Sequence, residues 1–522
     1  MKKIVVLLLS VLTVVMLCTS CAPPKDSGVG GNSGKTITIT FNTDGKVDVP
    51  KVEVPVGEAP AIPEAPVVDG FVFAGWYFDA EFENRYFFDY PLEENTTLYA
   101  KFYDTSLGEY IVISNVDQLI AINDDPTAKY LLACNINCKG NTLEPIAEFS
   151  GELEGNGYKI FNFSYNSDVD ALAFIITNNG IIRNLSFDDF SYTVVRDSNC
   201  NKVYALVCGN NYGTVENCKA MGGVLKIDYK SGHNPGNTNG TGHFNTDVAG
   251  IVAYNGGVVK NCVNYVNYEI KGGAWGAANS YWGGHWNYYS ISIMSIGGVV
   301  GRNAEGATIF ECINYASFDL SYVRTNSLGR NQLKIGGLVG HNEGEIQNCY
   351  AQSEYKLSQD EQVSVSSEED MIGGFVGLNI GKIYNCYCDV DITANQKLYA
   401  VGGFVGENRH VSTKESLVSK CFAFGSITVD SALTNCGLFA GLNTGTVWTC
   451  NYADTFAFNL KTVAVDEESG EEVETITPVE ATCSDGEAMA EAELLSVNYL
   501  ENTLYFDRMV WLLVEGKLPA LR

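Results

Sequence analysis

From about Ala171 to Asn451 the chain sets short apolar runs against single polar positions, and the pattern returns eight times. Its clearest copies read IGGLVGHNEGEIQNCY (Ile335 to Tyr350) and IGGFVGLNIGKIYNCY (Ile372 to Tyr387). A third reads CGLFAGLNTGTVWTCNY (Cys436 to Tyr452). Each copy runs Gly-Gly-apolar-Val-Gly-x-Asn, turns at a glycine, and continues as apolar-x-Asn-Cys. Runs this short, apolar throughout or alternating, predict strands of a buried coil. Their return at a spacing of a few tens of residues predicts one repeat array rather than independent elements. Glycine in the turn permits positive φ, and glycine in the strand permits close approach of the next coil.

Two polar or sulfur positions keep their place in the repeat. An asparagine recurs at Asn178, Asn211, Asn255, Asn303, Asn342, Asn379, Asn408 and Asn443. Stacked at one corner of a solenoid, these side chains form a ladder in which each amide bonds the next rung. A cysteine recurs at Cys218, Cys262, Cys312, Cys349, Cys386, Cys421 and Cys450, with Leu185 at that position in the first copy. Sixteen cysteines in a secreted chain would ordinarily raise a disulfide framework. A position that also accepts leucine instead predicts a small buried apolar side chain, hence stacked free thiols. Cys134/Cys138 and Cys386/Cys388 are closer pairs, but neither has zinc-ligand spacing, and no metal or cofactor is expected. The copies at Arg302 to Glu311 and Arg409 to Lys420 carry insertions in their turns. One rung per copy at ~4.8 Å gives an array roughly 40 Å long.

The pattern differs on either side. In residues 35–104, Ile37, Ile39 and Phe41 alternate with polar residues, Asp44-Gly45 marks a turn, and Phe71 to Tyr77 and Thr97 to Phe102 read as further strands. Residues 105–170 read as an N-terminal cap. A short helix there is capped by Ser114 or Asn115, a strand runs from Tyr130 to Ile136, and a Gly-Asn-Gly turn lies within Phe149 to Tyr158. Residues 171–455 hold the repeats. Residues 456–522 read as a C-terminal cap: an acidic hairpin over Val463 to Ile476, a helix over Gly486 to Leu495 and a closing strand from Trp511. Both caps are needed to hide the edges of the terminal rungs.

Two segments resemble known families. FNTDGK, GFVFAGWYFDAEF and FFDYPLEENTTLYAKF together resemble the internalin-B-type, or Listeria–Bacteroides, repeat. That resemblance implies a small β-grasp-like module of secreted surface proteins, used as a stalk and sometimes in adhesion. The setting of Trp76 makes it a core residue rather than a contact. The repeated phrase resembles the GLUG motif, which occurs in tandem in bacterial surface proteins and in noncatalytic parts of some secreted peptidases. It implies a right-handed parallel β-helix. The expected fold is therefore all-β: a β-grasp-like module, then a β-solenoid with short capping helices.

The N-terminus adds a location. Lys2 and Lys3 precede an apolar run from Ile4 to Leu17, then Cys18-Thr19-Ser20-Cys21. A basic start, a short apolar stretch and small residues make a secretory signal over residues 1–20, too short for a permanent span. The end of this signal resembles a lipobox, although Cys18 stands where leucine is usual. The resemblance implies cleavage before Cys21, a lipid on Cys21, and a flexible Pro/Gly/Ser tether over residues 21–34. The chain would then sit on the extracellular face of a bacterial membrane. The alternative is ordinary secretion with Cys21 unmodified.

Of the 522 residues, 46% are hydrophobic and 18% charged, with Gly 53 and Pro 13, which suits folded protein rich in short strands. The formal net charge of −29 repels phosphate backbones and argues against nucleic acid as a partner. It equally disfavours adsorption of the folded part to anionic membrane.

Recognition is expected on insertions rather than on coil cores. Two flank the third repeat: Lys230 to Asp247 and Lys271 to Tyr289. The second carries Trp275, Trp282 and Trp286, half of the chain's six tryptophans, with Tyr281, His285, Tyr288 and Tyr289 among glycines. Such rings stack on pyranose faces while Asn and His direct hydrogen bonds. They would equally anchor a protein ligand, or fold back over the solenoid flank. His233, His243 and His285 lie in these insertions without ligand spacing. No HExxH, GxSxG or P-loop is present. Asp389 and Asp391, two apart on a strand, would face the same way, as paired carboxylates do in β-helix polysaccharide hydrolases, but such pairs more often form a solvated sheet face. The favoured reading is surface adhesion through a glycan or a host or matrix ligand. The alternatives are a non-binding spacer and a β-helix enzyme acting on polysaccharide.

Overall fold

The computed structural model describes residues 35–61, 63–82, 84–86, 88, 91–196, 201–229, 243–272, 280–282, 285–287, 291–322, 331–359, 370–394, 398–430, 435–465, 472–482 and 485–522. They form two compact units: residues up to Pro66 with Trp76–Lys101, and Val67–Gly75 with Phe102–Arg522. The five N-terminal strands are Thr36–Asn42, Val52–Pro55, Phe71–Tyr77, Arg85–Tyr86 and Thr96–Asp104. In chain order they lie 2-1-5-3-4 across the sheet, with the first and last parallel at its centre, the arrangement of a β-grasp. Asp44 and Gly45 both take positive φ at the first turn. Trp76 is 2% exposed, with its ring 4.7 Å from Phe41, so it belongs to the core.

In the second unit the coils are parallel throughout. One coil shows the plan. Met371–Gly373 leads into Val376–Asn379, then Lys382–Tyr384, then the longer Tyr387–Ala394, after which the chain returns at Ala400. Stacking such coils builds four sheets, called here the Gly sheet (8 strands), the Asn sheet (9), the middle sheet (11) and the long sheet (16). The core between them is continuous and apolar. Stacking begins at Ile111–Ile113 on Lys129–Leu132 in the middle sheet, well ahead of the first Gly-rich phrase. The segment read as an N-terminal cap is thus itself coiled. The helix Val116–Ile120, capped by Asn115 Oδ1 on the Gln118 amide, sits beside these first strands.

The asparagines hydrogen-bond in series. Asn178 Nδ2 donates to Asn211 Oδ1 at 2.8 Å, and the chain of bonds continues through Asn255, Asn303, Asn342, Asn379 and Asn408 to Asn443. Asn443 passes it to Asp485 Oδ1 at 2.9 Å. A second, shorter ladder runs from Asn264 to Asn314 to Ser353 Oγ. The seven repeat cysteines are buried and free. Their thiols bond the carbonyl two residues back, as Cys386 does to Tyr384 O at 3.0 Å. Burial pushes the Cys218, Cys312 and Cys386 thiols well up, so they stay protonated.

The residue before each of these cysteines, and before Leu185, explains part of the phrase. Asn184, Asn217, Asn261, Asn348 and Asn385 all have φ between 51° and 56° at the corner entering the long sheet. Asparagine tolerates this left-handed conformation better than other side-chain-bearing residues. Glu311, Lys420 and Thr449 take the same conformation elsewhere in the stack.

At the C-terminus the hairpin is present as Ala457–Val465 antiparallel to Glu472–Pro478. The helix expected over Gly486 to Leu495 is shorter. Glu487–Met489 instead pairs in parallel with Asn451–Ala453, and helix is confined to Glu491–Leu494 and Val497–Asn502. An edge strand offering unpaired backbone groups outweighs local helix propensity here. Trp511, fully buried, packs with Leu500 and Phe506 against Tyr350, Tyr387 and Phe422. The closing segment therefore covers the outer face of the long sheet over several coils, beyond the last rung.

Candidate functional site

Of the aromatic insertion, Trp275, Tyr288 and Tyr289 lie outside the described residues. So do Cys21 and His233. Ser280–Trp282 and His285–Asn287 pair antiparallel, setting Tyr281 opposite Trp286 and Trp282 opposite His285 in backbone register. This ladder is a sheet of its own, apart from the four solenoid sheets. The other insertion, Lys230 to Asp247, ends within a strand: His243–Ala249 belongs to the Gly sheet. Asp389 is half-buried, and burial, then Asp391, raises its pKa; Asp391 is exposed and accepts from Ser426 Oγ at 2.6 Å.

A second site, not visible in the phrase, lies where the Gly sheet turns into the Asn sheet. Glycine makes this bend. A Cβ on Gly297 would sit 1.9 Å from Val300 O, and one on Gly340 would sit 2.5 Å from Ile296 N. The outward positions of the two sheets thus face one another in a narrow groove that their own side chains largely fill. In the Gly sheet, Asp247, Ser295 and Lys334 are register neighbours on three successive coils. In the Asn sheet, Tyr254, Arg302 and His341 are neighbours on the same three.

These groups are joined. Lys334 Nζ lies 3.4 Å from His341 Nδ1. His341 Nε2 is 3.8 Å from Glu343 Oε1, which Arg302 holds at 2.7 Å. Lys414, from one of the turn insertions, ties Glu343 at 2.9 Å and Glu305 at 3.1 Å. Arg409 binds Glu407 through two nitrogens. The groove has an open end. Tyr212, 55% exposed, lies with its ring 6.0 Å from that of Tyr254, and the Arg302 guanidinium stands 6.0 Å from the Tyr254 ring. Beyond Glu343 and Lys414 a shallow cavity of about 300 Å³ is lined by Glu305, Lys382 and Glu415 among others.

Desolvation dominates the electrostatics. Asp247, Ser295, Lys334 and His341 are exposed by only 3%, 1%, 4% and 6%. Burial raises Asp247 to about 7, against the pull of Arg302. Burial, with Arg302 and Arg409 nearby, lowers Lys334 to about 8, so it remains mostly charged at neutral pH. Burial and then Lys334 hold His341 well below 6.5, hence neutral. An ammonium can only donate, so His341 Nδ1 accepts and the ring proton sits on Nε2. Four buried atoms have no hydrogen-bond partner among the described residues: Asp247 Oδ1, Ser295 Oγ, Arg302 Nε and His341 Nε2.

Sequence comparison bears on both units. Residues 38–101 match the Listeria–Bacteroides repeat domain, and residues 333–354 match the GLUG motif. No curated protein matches the chain. Among solved structures, similarity extends to a Bacteroides ovatus protein described as a candidate immunoglobulin A1 protease, at 15% identity and TM-score 0.37, covering 79% of this chain and 92% of that one. It extends also to an IgA1 protease at 15% identity and TM-score 0.32, where 81% of this chain spans 27% of the other. The chain therefore carries a Listeria–Bacteroides repeat domain followed by a parallel β-solenoid that includes a GLUG motif.

Proposed function

We propose that this is a cell-surface β-solenoid lipoprotein that binds extracellular glycan through the aromatic insertion between Lys271 and Tyr289. One observation carries the reading: part of the insertion forms its own ladder, Ser280–Trp282 on His285–Asn287, outside the solenoid sheets. That ladder carries Trp282 and Trp286 and pairs with none of the described solenoid strands, which supports contact with a ligand. Support for an extracellular or surface location comes from the Listeria–Bacteroides match and the signal-like N-terminus. Anchorage is through a lipid on Cys21, with residues 21–34 as tether. The membrane is a partner through that lipid alone, and the glycan or host ligand meets the insertion.

The test is a glycan array with mucin on the soluble form from Ala22, beside the Trp275/Trp282/Trp286→Ala variant. Binding that the variant loses supports the reading. Equal signals, or none from either, would contradict it. Anchorage is checked by metabolic lipid labelling, which Cys21→Ser is expected to abolish.

A further inference from the structure

The groove described above holds more unpaired hydrogen-bond donors than a purely structural network has reason to bury. Burying a polar group without a partner costs a few kcal/mol. In the next coil the same two register positions are Met371 and Leu378, both buried, so the fold has no need of polarity at this corner. Two of the orphaned atoms can only donate, Arg302 Nε–H and His341 Nε2–H, and the Ser295 hydroxyl, which lies against the Asp247 carboxyl and lowers its pKa, can turn to donate as well. Lys334 Nζ adds further donors, having His341 Nδ1 as its hydrogen-bond partner among the described residues. Against them stands Asp247, whose burial favours the uncharged acid. Donors in excess around a buried ammonium call for a ligand made of acceptors, which is an oxyanion.

The open end of the groove adds a second requirement. Tyr212 and Tyr254 lead directly to Arg302, so a ligand that seats its oxyanion among the donors lays its body along two phenol rings. Rings at a groove mouth suit the C–H face of a sugar.

We propose that this groove binds an acidic saccharide, with Lys334, Arg302, His341 and Ser295 holding its carboxylate or sulfate and Tyr212 and Tyr254 carrying its ring. The oxyanion part is independent of the aromatic insertion; the sugar part shares its ligand class with the function proposed above.

The test is calorimetry at pH 7 on the soluble form from Ala22, with sodium sulfate, sodium glucuronate and glucose as probes in constant chloride. Both anions are expected to bind and glucose is not. Lys334→Met is expected to weaken both anions at least tenfold. Tyr212→Ala should weaken glucuronate several-fold and leave sulfate unchanged. Lys334→Met leaves the aromatic insertion unaltered, so its signal on the glycan array separates failure of the insertion reading from failure here. Lys334→Met introduces the residue that the next coil already carries, and circular dichroism checks its fold; Ser295→Ala serves if it does not fold. No anion binding, or undiminished binding by Lys334→Met, would overturn the proposal. Sulfate binding without glucuronate binding would overturn the assignment of the sugar ring.

Discussion

Two neighbouring stretches of the same corner differ in chemistry while sharing one backbone. On coils carrying Asp247, Ser295 and Lys334, the facing residues are Tyr254, Arg302 and His341; one coil on, Met371 faces Leu378. Both stretches keep the glycine bend, the asparagine ladder and the buried cysteine. What holds the coil together is therefore constant, and what occupies the outward corner is free to vary. The apolar version shows that the corner packs well without charge. The polar version buries charges and leaves donors unpaired, which favours a ligand over stability as its reason.

The contrast can be broken in order of effect. Met371→Lys places a lone ammonium in the apolar stretch and should destabilise by about 3–5 kcal/mol, read by urea unfolding. Asn342→Ala and Asn379→Ala each orphan buried amide groups on both neighbours and should cost about 2–3 kcal/mol apiece. Similar losses are expected in the two stretches, because the ladder does not distinguish them. Lys334→Met with His341→Leu converts the polar coil to the pair found one coil on, and should leave stability unchanged or raise it by about 1–2 kcal/mol.

Acid dependence sharpens the same point. Asp247 has a folded pKa of about 7, above its ordinary value of 3.8. The folded state binds the extra proton, so this stabilising term is complete below about pH 4 and is lost as pH rises through about 7. Asp247→Asn should flatten that part of the stability profile. Lys334 acts in the opposite direction at higher pH. Its folded pKa of about 8 lies below 10.5, so stability rises as pH climbs between those values, and Lys334→Met should remove the rise. The smallest effect belongs to the corner before the cysteine. Thr449, β-branched at φ 52°, sits where five coils place asparagine. Thr449→Asn should stabilise by about 0.5–1 kcal/mol, measured by thermal unfolding.

The sequence made the coil legible because its constraints repeat. Asn342 and Cys349 have counterparts at the same spacing in copy after copy, and stacking gives them one environment each. Features that do not repeat were hidden. The strand His243–Ala249 begins inside the polar insertion Lys230 to Asp247, where His243 to Asp247 carry no apolar alternation to mark it. The first coils lack the glycine phrase, and an early strand such as Ile111–Ile113 is recognised only by what stacks on it. The Asn385 corner was visible as a letter but not as a left-handed backbone. The groove was least legible of all. Each copy offers one variable residue before its asparagine, and Arg302 and His341 gain meaning only when register sets them side by side facing Ser295 and Lys334.

A crystal structure of the soluble form grown with sodium glucuronate bears most directly on why this corner is polar. The expected result is carboxylate density within hydrogen-bond distance of Lys334 Nζ, Arg302 Nε and His341 Nε2, with the sugar ring against Tyr212 and Tyr254. The contrary result is a groove whose donors are satisfied by one another or by ordered water alone, with no ligand at the groove mouth.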